Sequence, residues 1–571
     1  MDRPARTQVA IVGGGPVGLL LALFLDRHGV ESVVFNTGQS VPAEPRGSTH
    51  GARTMEHYRR LGLASRVRSL GLPGGHSAGI SFFTRYDGHL LADLRWPGAD
   101  EVRAGVAASE RTDQLPEPMH RANQMYVERL LWDRARTRPN ITLRYGHRVT
   151  AIAESAVPGG ASEAAGSAGS AAESGHITLT EQGPDGVSRT WRAAFAVGCD
   201  GGHGLVRRSL GIAYTGEGTL DQDVLGRRAT AAHLRVPGLR GGFLRERAGW
   251  SNWVFNRDLA LNLIALDGAD EYFLLTSSAD PDDTDDEAIA ALVRQAAGVP
   301  LEVEVLSRRA WTPGAALVAE RFGAGRTWLA GDAAHLFTPN GGFGMNTGVD
   351  DAANLAWKLA AAVQGWAGPG LLPSYESERR PVALRNTAAA RELNVGLGAI
   401  DRPAALEADT AEGAAAREKT GARLAEYGLL TLATTGVQLG ARYDASPIVD
   451  AAGDVPPPDD FTSYTPSGVP GGRAPHLWLG EGRGEGDSLF DRFGTGFTLL
   501  SLCVLHQDTS GFEDAARAAG IPLTVVRVED PAARELYERD LVLVRPDQHV
   551  AWRGNRPPRD PAELLARVTG H

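Results

Sequence analysis

The stretch "QVAIVGGGPVGLLLALFLDRHGVESVVF", Gln8–Phe35, decides the fold. Gln8–Val12 is a short β-type run. Pro16–His28 is apolar at helical spacing and stops at Gly29, the residue type favoured just past a helix end. Val33–Phe35 is a second strand, so the segment reads as a βαβ unit. Its first turn, Gly13-Gly14-Gly15-Pro16-Val17-Gly18, fits G-x-G-x-x-G. The first glycine makes the tight turn and the second lets a pyrophosphate approach the backbone. The third lets helix and strand pack closely, and the helix dipole faces the phosphates. An acid is expected about 20 residues on, for the ribose hydroxyls. Asn36 stands there instead. An amide can accept from or donate to a hydroxyl, but the change weakens a plain NAD reading.

The same N-terminus could pass for a signal peptide. Gly13–Pro16 interrupts its apolar run, however, and no small-residue cleavage site follows. No run of about 18 apolar residues occurs elsewhere, so the expectation is a soluble cytoplasmic protein with no membrane span. At 571 residues the chain is too long for one core, and about three domains are expected. Net charge is −11, too small for this length to suggest a nucleic-acid or membrane-surface partner. Lys358 and Lys419 are the only lysines, and Cys199 and Cys503 the only cysteines. There is therefore no disulfide framework, no CxxC and no metal-ligand spacing, which fits a reducing compartment.

Two further stretches repeat the logic of a strand ending in an acid. Phe195–Ile212, "FAVGCDGGHGLVRRSLGI", runs into Asp200-Gly201 and a basic helix with Arg207. Ala330–Ala360, "AGDAAHLFTPNGGFGMNTGVDDAANLAWKLA", carries Gly331-Asp332, a glycine-rich loop and a long helix. Asp332 can accept hydrogen bonds from a polyol such as the ribityl chain of a flavin. Pro339-Asn340-Gly341-Gly342 can lie flat beside a planar ring, where a Cβ would clash. A helix beginning near Met345–Thr347 would aim its positive end at the negative edge of a reduced flavin.

These segments resemble the glycine, Asp-Gly and Gly-Asp motifs of single-component FAD-dependent aromatic hydroxylases, whose prototype is the para-hydroxybenzoate hydroxylase fold. "PRGSTHGARTMEHYRRLGL", Pro45–Leu63, and "RANQMYVERLL", Arg121–Leu131, are similar to that family's further flavin-contacting segments. "APHLWL", "SLFDRFGTGFTLL" and "LVLVRPDQHVAWRG" resemble the thioredoxin-like third domain of phenol and aromatic polyketide hydroxylases. The resemblance implies an α/β chain. A Rossmann-like FAD-binding domain is interleaved with a substrate-binding β-sheet domain over 1–390, the sheet mainly at about 76–115 and 205–310. A helical segment and linker follow at 391–455, then a thioredoxin-like α/β domain at 456–571 without CxxC.

It also implies roles by position. Gly13, Gly15, Pro16 and Gly18 would hold the ADP pyrophosphate, with Asn36 at the ribose. Arg46 would sit over the phosphate and ring side, and Gln124 near the ribityl or pyrophosphate. Asp332 would bind the ribitol, and Pro339, Gly341, Gly342, Gly344, Met345 and Asn346 would border the isoalloxazine. Three motifs depart from common forms: the ribose position at Asn36, the Asp-Gly motif at Gly204, and the segment with Arg121 and Asn123, where some phenol hydroxylases have a substrate-side Asp. NADPH or NADH would reduce FAD, and dioxygen adding at C4a would give the peroxide that hydroxylates a phenolic, multi-ring substrate.

A base near the phenol would help. His50 is the candidate, with Ser48 and Arg53 on the same loop. Asn340 and Trp253, with Trp250 nearby, are candidate substrate residues, although sheet-core aromatics read the same way. The third domain would be a lid, a packing element or a homodimer contact. Baeyer–Villiger-type or rearranging oxygenation is the alternative chemistry, and a flavin-binding protein without turnover the alternative class. No W-x-W-x-I-P segment supports a halogenase.

Between these motifs the sequence predicts helices over Met119–Arg136, Asp286–Ala297 and much of Leu371–Tyr427, and strands at Ile141–Tyr145 and Glu302–Leu306. Glu154–His176, rich in Ala, Gly and Ser, reads as a mobile surface insertion between two strands. Pro456–Pro475 reads as a linker. Strands Phe497–Leu505 and Leu523–Val528, helix Phe512–Ala519 and a hairpin around Pro546-Asp547 follow, and Asp560 caps a last helix.

Overall fold

The computed structural model describes residues 4–571 except 109–114, 156–174, 219–223, 226–227, 245–246, 248, 312–314, 452, 480–486 and 503–506. Strand Ala5–Val12 pairs in parallel with Ser32–Asn36 on one side and Ser188–Gly198 on the other. Ile141–Tyr145 extends the first side and Thr327–Leu329 the second, again in parallel. The three strands that lead into glycine and acid motifs are therefore adjacent. Their carboxyl ends share one edge, where open α/β sheets bind ligands. Helix Pro16–Arg27 is buried from Gly18 to Asp26. It is apolar all round because sheet and helix Phe343–Gln364 enclose it.

The second sheet has seven strands, in the order Glu304–Trp311, Ala229–Arg235, Glu271–Thr276, Ala260–Ala265, Ser251–Phe255, Ile80–Phe83 and Leu90–Leu94. Alternation along the strands divides its faces. Val254, Leu261, Leu263 and Leu274 pack with Ile289 and Val293 of helix Asp286–Ala297. Phe82, Trp253, Phe255 and Ala260 pack with Leu393 and Leu397 of helix Ser374–Gly398 and Leu424 of helix Ala411–Leu432. Tyr214–Glu217 pairs instead with Ala316–Ala319, in a separate three-stranded sheet.

Local signals placed some elements and missed others. Helix Asp286–Ala297 stands as expected, capped by the Asp285 side chain on Ala288 N and closed by Gly298 at φ +77°. The helix expected over Met119–Arg136 spans only Gln124–Ala135. His120–Arg121 pairs with Thr49–His50 instead, and Asn123 caps the helix through Met125 N. The strand expected at Glu302–Leu306 runs Glu304–Trp311. Strands Arg148–Ser155 and His176–Gln182 pair across the Ala/Gly/Ser-rich segment, whose residues 156–174 lie outside the described residues.

The C-terminal sheet orders Leu523–Arg527, Phe497–Ser501, Leu541–Val544 and Val550–Gly554. The strand expected to reach Leu505 ends at Ser501, and Cys503 lies outside the described residues. Asp560 caps Pro561–Val568 as expected, accepting from Ala562 N and Glu563 N. Among the described residues no helix is long and apolar enough to cross a membrane, and no cluster of metal-ligating side chains occurs.

Candidate active site

The three strand ends meet through backbone hydrogen bonds. Gly13 N donates to Phe35 O (2.8 Å), Cys199 N to Val12 O (2.7 Å) and Ala330 N to Gly198 O (2.9 Å). Gly15 faces open space, with no heavy atom within 4 Å of where its Cβ would be. It begins helix Pro16–Arg27, and no side chain caps that end, so its first-turn N–H groups and dipole face the opening. Gly18 is needed for packing, because a Cβ there would lie 2.0 Å from Gly13 O. Asn36 Oδ1 accepts from Gly14 N (3.2 Å) while its Nδ2 donates to Gly38 O (3.2 Å). A carboxylate could make only the first of these bonds, which gives the departure at position 36 a structural role. Gly204 has one too: a Cβ there would lie 2.2 Å from the Asp200 carboxylate.

Asp332 follows Gly331, whose N–H donates to Asp351 Oδ2 (3.1 Å). Tyr214 Oη donates to the Asp332 carbonyl (2.6 Å). These bonds fix the backbone and leave the Asp332 carboxylate accessible, with no hydrogen-bond donor among the described residues. The residue is exposed to the opening, yet desolvation by the protein beside it raises its pKa, with His335 and Arg46 opposing the shift.

The ring-side loop is shaped by Gly341 (φ +78°) and Gly342 (φ +69°). A Cβ on Gly341 would meet the Phe343 ring at 2.5 Å, and one on Gly342 would meet Thr49 Cβ at 2.9 Å. The helix starts at Phe343, two residues before the expected Met345–Thr347, and no side chain caps it. Pro339, Gly344 and Met345 are half-buried beside that end. Asn346 is consumed by protein. Its Nδ2 donates to Thr49 O (2.9 Å) and Gly342 O (2.6 Å), and its Oδ1 accepts from Gly51 N (2.9 Å) and Thr54 Oγ1 (2.6 Å). Asn346 can therefore border a ring only through its backbone.

Arg46 is exposed, and its guanidinium has no hydrogen-bond or ion-pair partner among the described residues. Its backbone is held at both ends by Asn123, through Oδ1 (3.1 Å) and Nδ2 (2.9 Å). Sequence reasoning noted Asn123 only as a departure. Gln124 bonds Glu128 through its side chain and Gly47 O through its backbone (2.8 Å).

The substrate-side candidates fare differently. His50 is fully buried. Its Nε2 lies 3.0 Å from Ala122 O, so it must donate there, and its Nδ1 lies 3.1 Å from Tyr58 Oη. Burial and the nearby His120 and Arg121 depress its pKa to about 3. The structure thus corrects the base assignment: His50 is a neutral strut whose two nitrogens are occupied. Trp253 is 4% exposed and stacks on Phe82 (6.1 Å, 19°), inside the core. Trp250 lies under the Arg121 guanidinium at 3.6 Å, and Arg121 also bonds Thr49 Oγ1. Burial lowers the Arg121 pKa to about 9. Asn340 Nδ2 donates to Tyr427 Oη (2.7 Å), while its buried Oδ1 has no partner. Tyr427 and the Arg46 and Ser48 partners of Asn123 were invisible in the sequence, because those contacts span the fold.

The residues present fit FAD. There is open space at Gly15 for a pyrophosphate and an unengaged carboxylate at Asp332 for a ribityl hydroxyl. Arg46 offers an unengaged cation, and the helix end at Gly342 is uncapped. Comparison with known proteins agrees. Residues 6–390 match the FAD binding domain family and residues 467–571 the aromatic-ring hydroxylase C-terminal family. The FAD-dependent monooxygenase apdD of Emericella nidulans is 31% identical over 98% of this chain and 90% of its own. Solved structures of RebC with bound 7-carboxy-K252c (TM-score 0.85, 34% identity) and of aklavinone-11 hydroxylase with FAD and aklavinone (0.79, 28%) each align over 100% of both chains. The chain belongs to the FAD-dependent aromatic-ring hydroxylase family and is a flavin-dependent aromatic monooxygenase.

Proposed function

We propose that the chain consumes NADPH or NADH and dioxygen to hydroxylate a phenolic, multi-ring substrate of the aromatic polyketide kind. One observation carries this reading. Arg309 of strand Glu304–Trp311 donates to Pro45 O (3.4 Å), and Arg121 stacks on Trp250. The second sheet therefore faces the Arg46–Gly51 loop, with Phe273, Ile264 and Trp311 on that face beside Met125. In this reading a flat apolar substrate lies between sheet and loop. Aklavinone, bound by the 28%-identical hydroxylase, is a chemical precedent.

FAD held by these residues would supply hydride acceptance and dioxygen activation. The protein's part is to orient, to exclude water and to place charge. The helix end at Gly342–Met345 favours negative charge at the ring edge. Arg121 remains a cation near neutral pH and favours the phenolate, the better carbon nucleophile. Substrate positions 340 and 253 are read accordingly: Asn340 offers its unpaired Oδ1, and Trp253 supports the pocket from behind.

The test is oxidation of NADPH by purified protein with a panel of phenols under isotopically labelled dioxygen. The expected result is phenol-stimulated oxidation and a product that gains one labelled oxygen atom. Oxidation that no phenol accelerates, with no labelled product, would count for a flavin-binding protein without turnover. A rearranging or Baeyer–Villiger-type oxygenation is the second reading. It is favoured by the higher identity to RebC, a rebeccamycin biosynthetic enzyme. The NMR spectrum of one product separates the two.

A further inference from the structure

Arg53 joins three parts of the chain. It is 5% exposed and sits at the start of helix Ala52–Arg60, directly after the Arg46–Gly51 loop. Its Nη1 donates to Glu56 Oε2 (2.8 Å) and to Gln548 Oε1 (2.9 Å), a residue 495 positions away. Its Nη2 donates to the Asp547 carbonyl (2.6 Å), and its Nε lies 3.5 Å from Asp350 on helix Phe343–Gln364.

The other side of this contact is the tight turn Pro546–Gln548 of the C-terminal domain, in which Gln548 adopts φ +66°. The turn grips both helices. Arg60 Nη2 donates to Pro546 O. Asp547 Oδ2 accepts from Asn354 Nδ2 (3.0 Å) and Trp357 Nε1 (3.3 Å) of helix Phe343–Gln364. The N-terminal ends of these two helices carry the Arg46–Gly51 loop and the Gly341–Gly342 turn, which Asn346 joins by bonding Thr49 O and Gly51 N.

We propose that Arg53 is a positioning residue for the flavin. Held by the Pro546–Gln548 turn, it braces the unit in which Asn346 ties the Arg46–Gly51 loop to the helix end at Gly342–Asn346. The C-terminal domain is then part of the flavin site, though it contributes no group that touches the ring. The planar guanidinium is suited to this task, because it meets three acceptors on two elements at once and stays charged when buried. A lysine ammonium could not span the same acceptors. The proposal rests on FAD lying against these loops and not on the identity of the aromatic substrate.

The test uses full-length apoprotein reconstituted with FAD. Three things are measured: the FAD dissociation constant, the visible circular dichroism of the bound flavin and the unfolding midpoint of the apoprotein. Arg53→Met is expected to weaken FAD roughly tenfold or more and to change the flavin dichroism. Arg53→Lys should rescue neither fully. Gln548→Asn tolerates the left-handed backbone but withdraws one acceptor, so it should move both flavin readouts in the same direction and less far. A purely structural role would lower the unfolding midpoint and leave the dichroism of the bound flavin unchanged. If Arg53→Met does not fold, Gln548→Asn decides alone. Unchanged FAD affinity and dichroism in the folded variants would overturn the proposal while leaving the hydroxylase reading intact. Failure of the wild-type chain to bind FAD would overturn both.

Discussion

Gly13 and Cys199 approach so closely that a Cβ on Gly13 would stand 2.1 Å from the Cys199 carbonyl oxygen. The first glycine of the turn is thus required by a neighbouring strand end as much as by any phosphate. Gly15, two residues on, has an ordinary φ of −75° and open space before it. The two positions therefore separate folding from binding. Gly13→Ala, at φ +115°, should destabilise the apoprotein by about 3–5 kcal/mol. Gly15→Ala should change stability by no more than about 1 kcal/mol and still weaken FAD about a hundredfold, or about 2.7 kcal/mol. Urea unfolding of the apoproteins and FAD titration measure the two effects. Equal losses of stability would mean that the opening at Gly15 is not a ligand site.

Asp332 should show the reverse of a structural carboxylate. Its pKa is raised by desolvation, so the folded chain holds a proton that the unfolded chain has already lost. Between the ordinary carboxylate value and the raised one, the group lowers stability as pH increases, and above both values the penalty is complete. Asp332→Asn should therefore leave the apoprotein equally or more stable at neutral pH while weakening FAD binding. A marked loss of apoprotein stability at pH 7 would show that the carboxylate has a protein partner after all.

Glu378 is the opposite case. Burial would push its pKa up, but Arg545 and Lys358 overcome that and hold it at about 2. Its carboxylate accepts from Arg545 at 2.6 and 2.8 Å and from Lys358 at 2.6 Å. A folded pKa below the unfolded one gives stability that is present above the ordinary glutamate value and lost as pH falls towards about 2. Glu378→Gln leaves two buried cations short of their counter-charge. It should cost about 3–5 kcal/mol and flatten the acid limb of a stability-versus-pH curve measured by denaturant unfolding.

His50→Gln tests the correction at the substrate side. With its pKa near 3, His50 is uncharged throughout the working range. The substitution should destabilise the chain by about 1–3 kcal/mol through the lost buried bonds. The pH profile of kcat/KM in the folded fraction should keep its shape. A displaced inflection between about pH 5 and 8 would restore His50 as the group that titrates during turnover.

What could be read from the chain followed the range of each signal. The helix capped by Asp285 and closed by Gly298 is specified by residues a few positions apart, and the turn Gly13–Gly18 was legible from its glycine spacing although Cys199 also demands Gly13. The three motif strands were legible as separate segments, and parallel pairing then brought their ends together. The start of helix Gln124–Ala135 was misplaced because His120–Arg121 is drawn into a ladder with Thr49–His50, a pairing that no local pattern announces. His50 looked like a base because its loop was expected to approach the substrate. Its burial depends on Ala122, 72 residues away. The C-terminal domain was legible as an α/β unit, yet Arg545 and Asp547 read only as turn and strand residues. Their partners Glu378 and Arg53 lie 167 and 494 residues distant.

The central claim is that three distant loops enclose one FAD, and titration of FAD into the full-length apoprotein measures it most directly. The account predicts a yellow complex with one FAD per chain and a dissociation constant at or below about 1 µM, weakened about tenfold or more by Asp332→Ala. A folded chain that stays colourless, or whose uptake is indifferent to the substitution at Asp332, would contradict it.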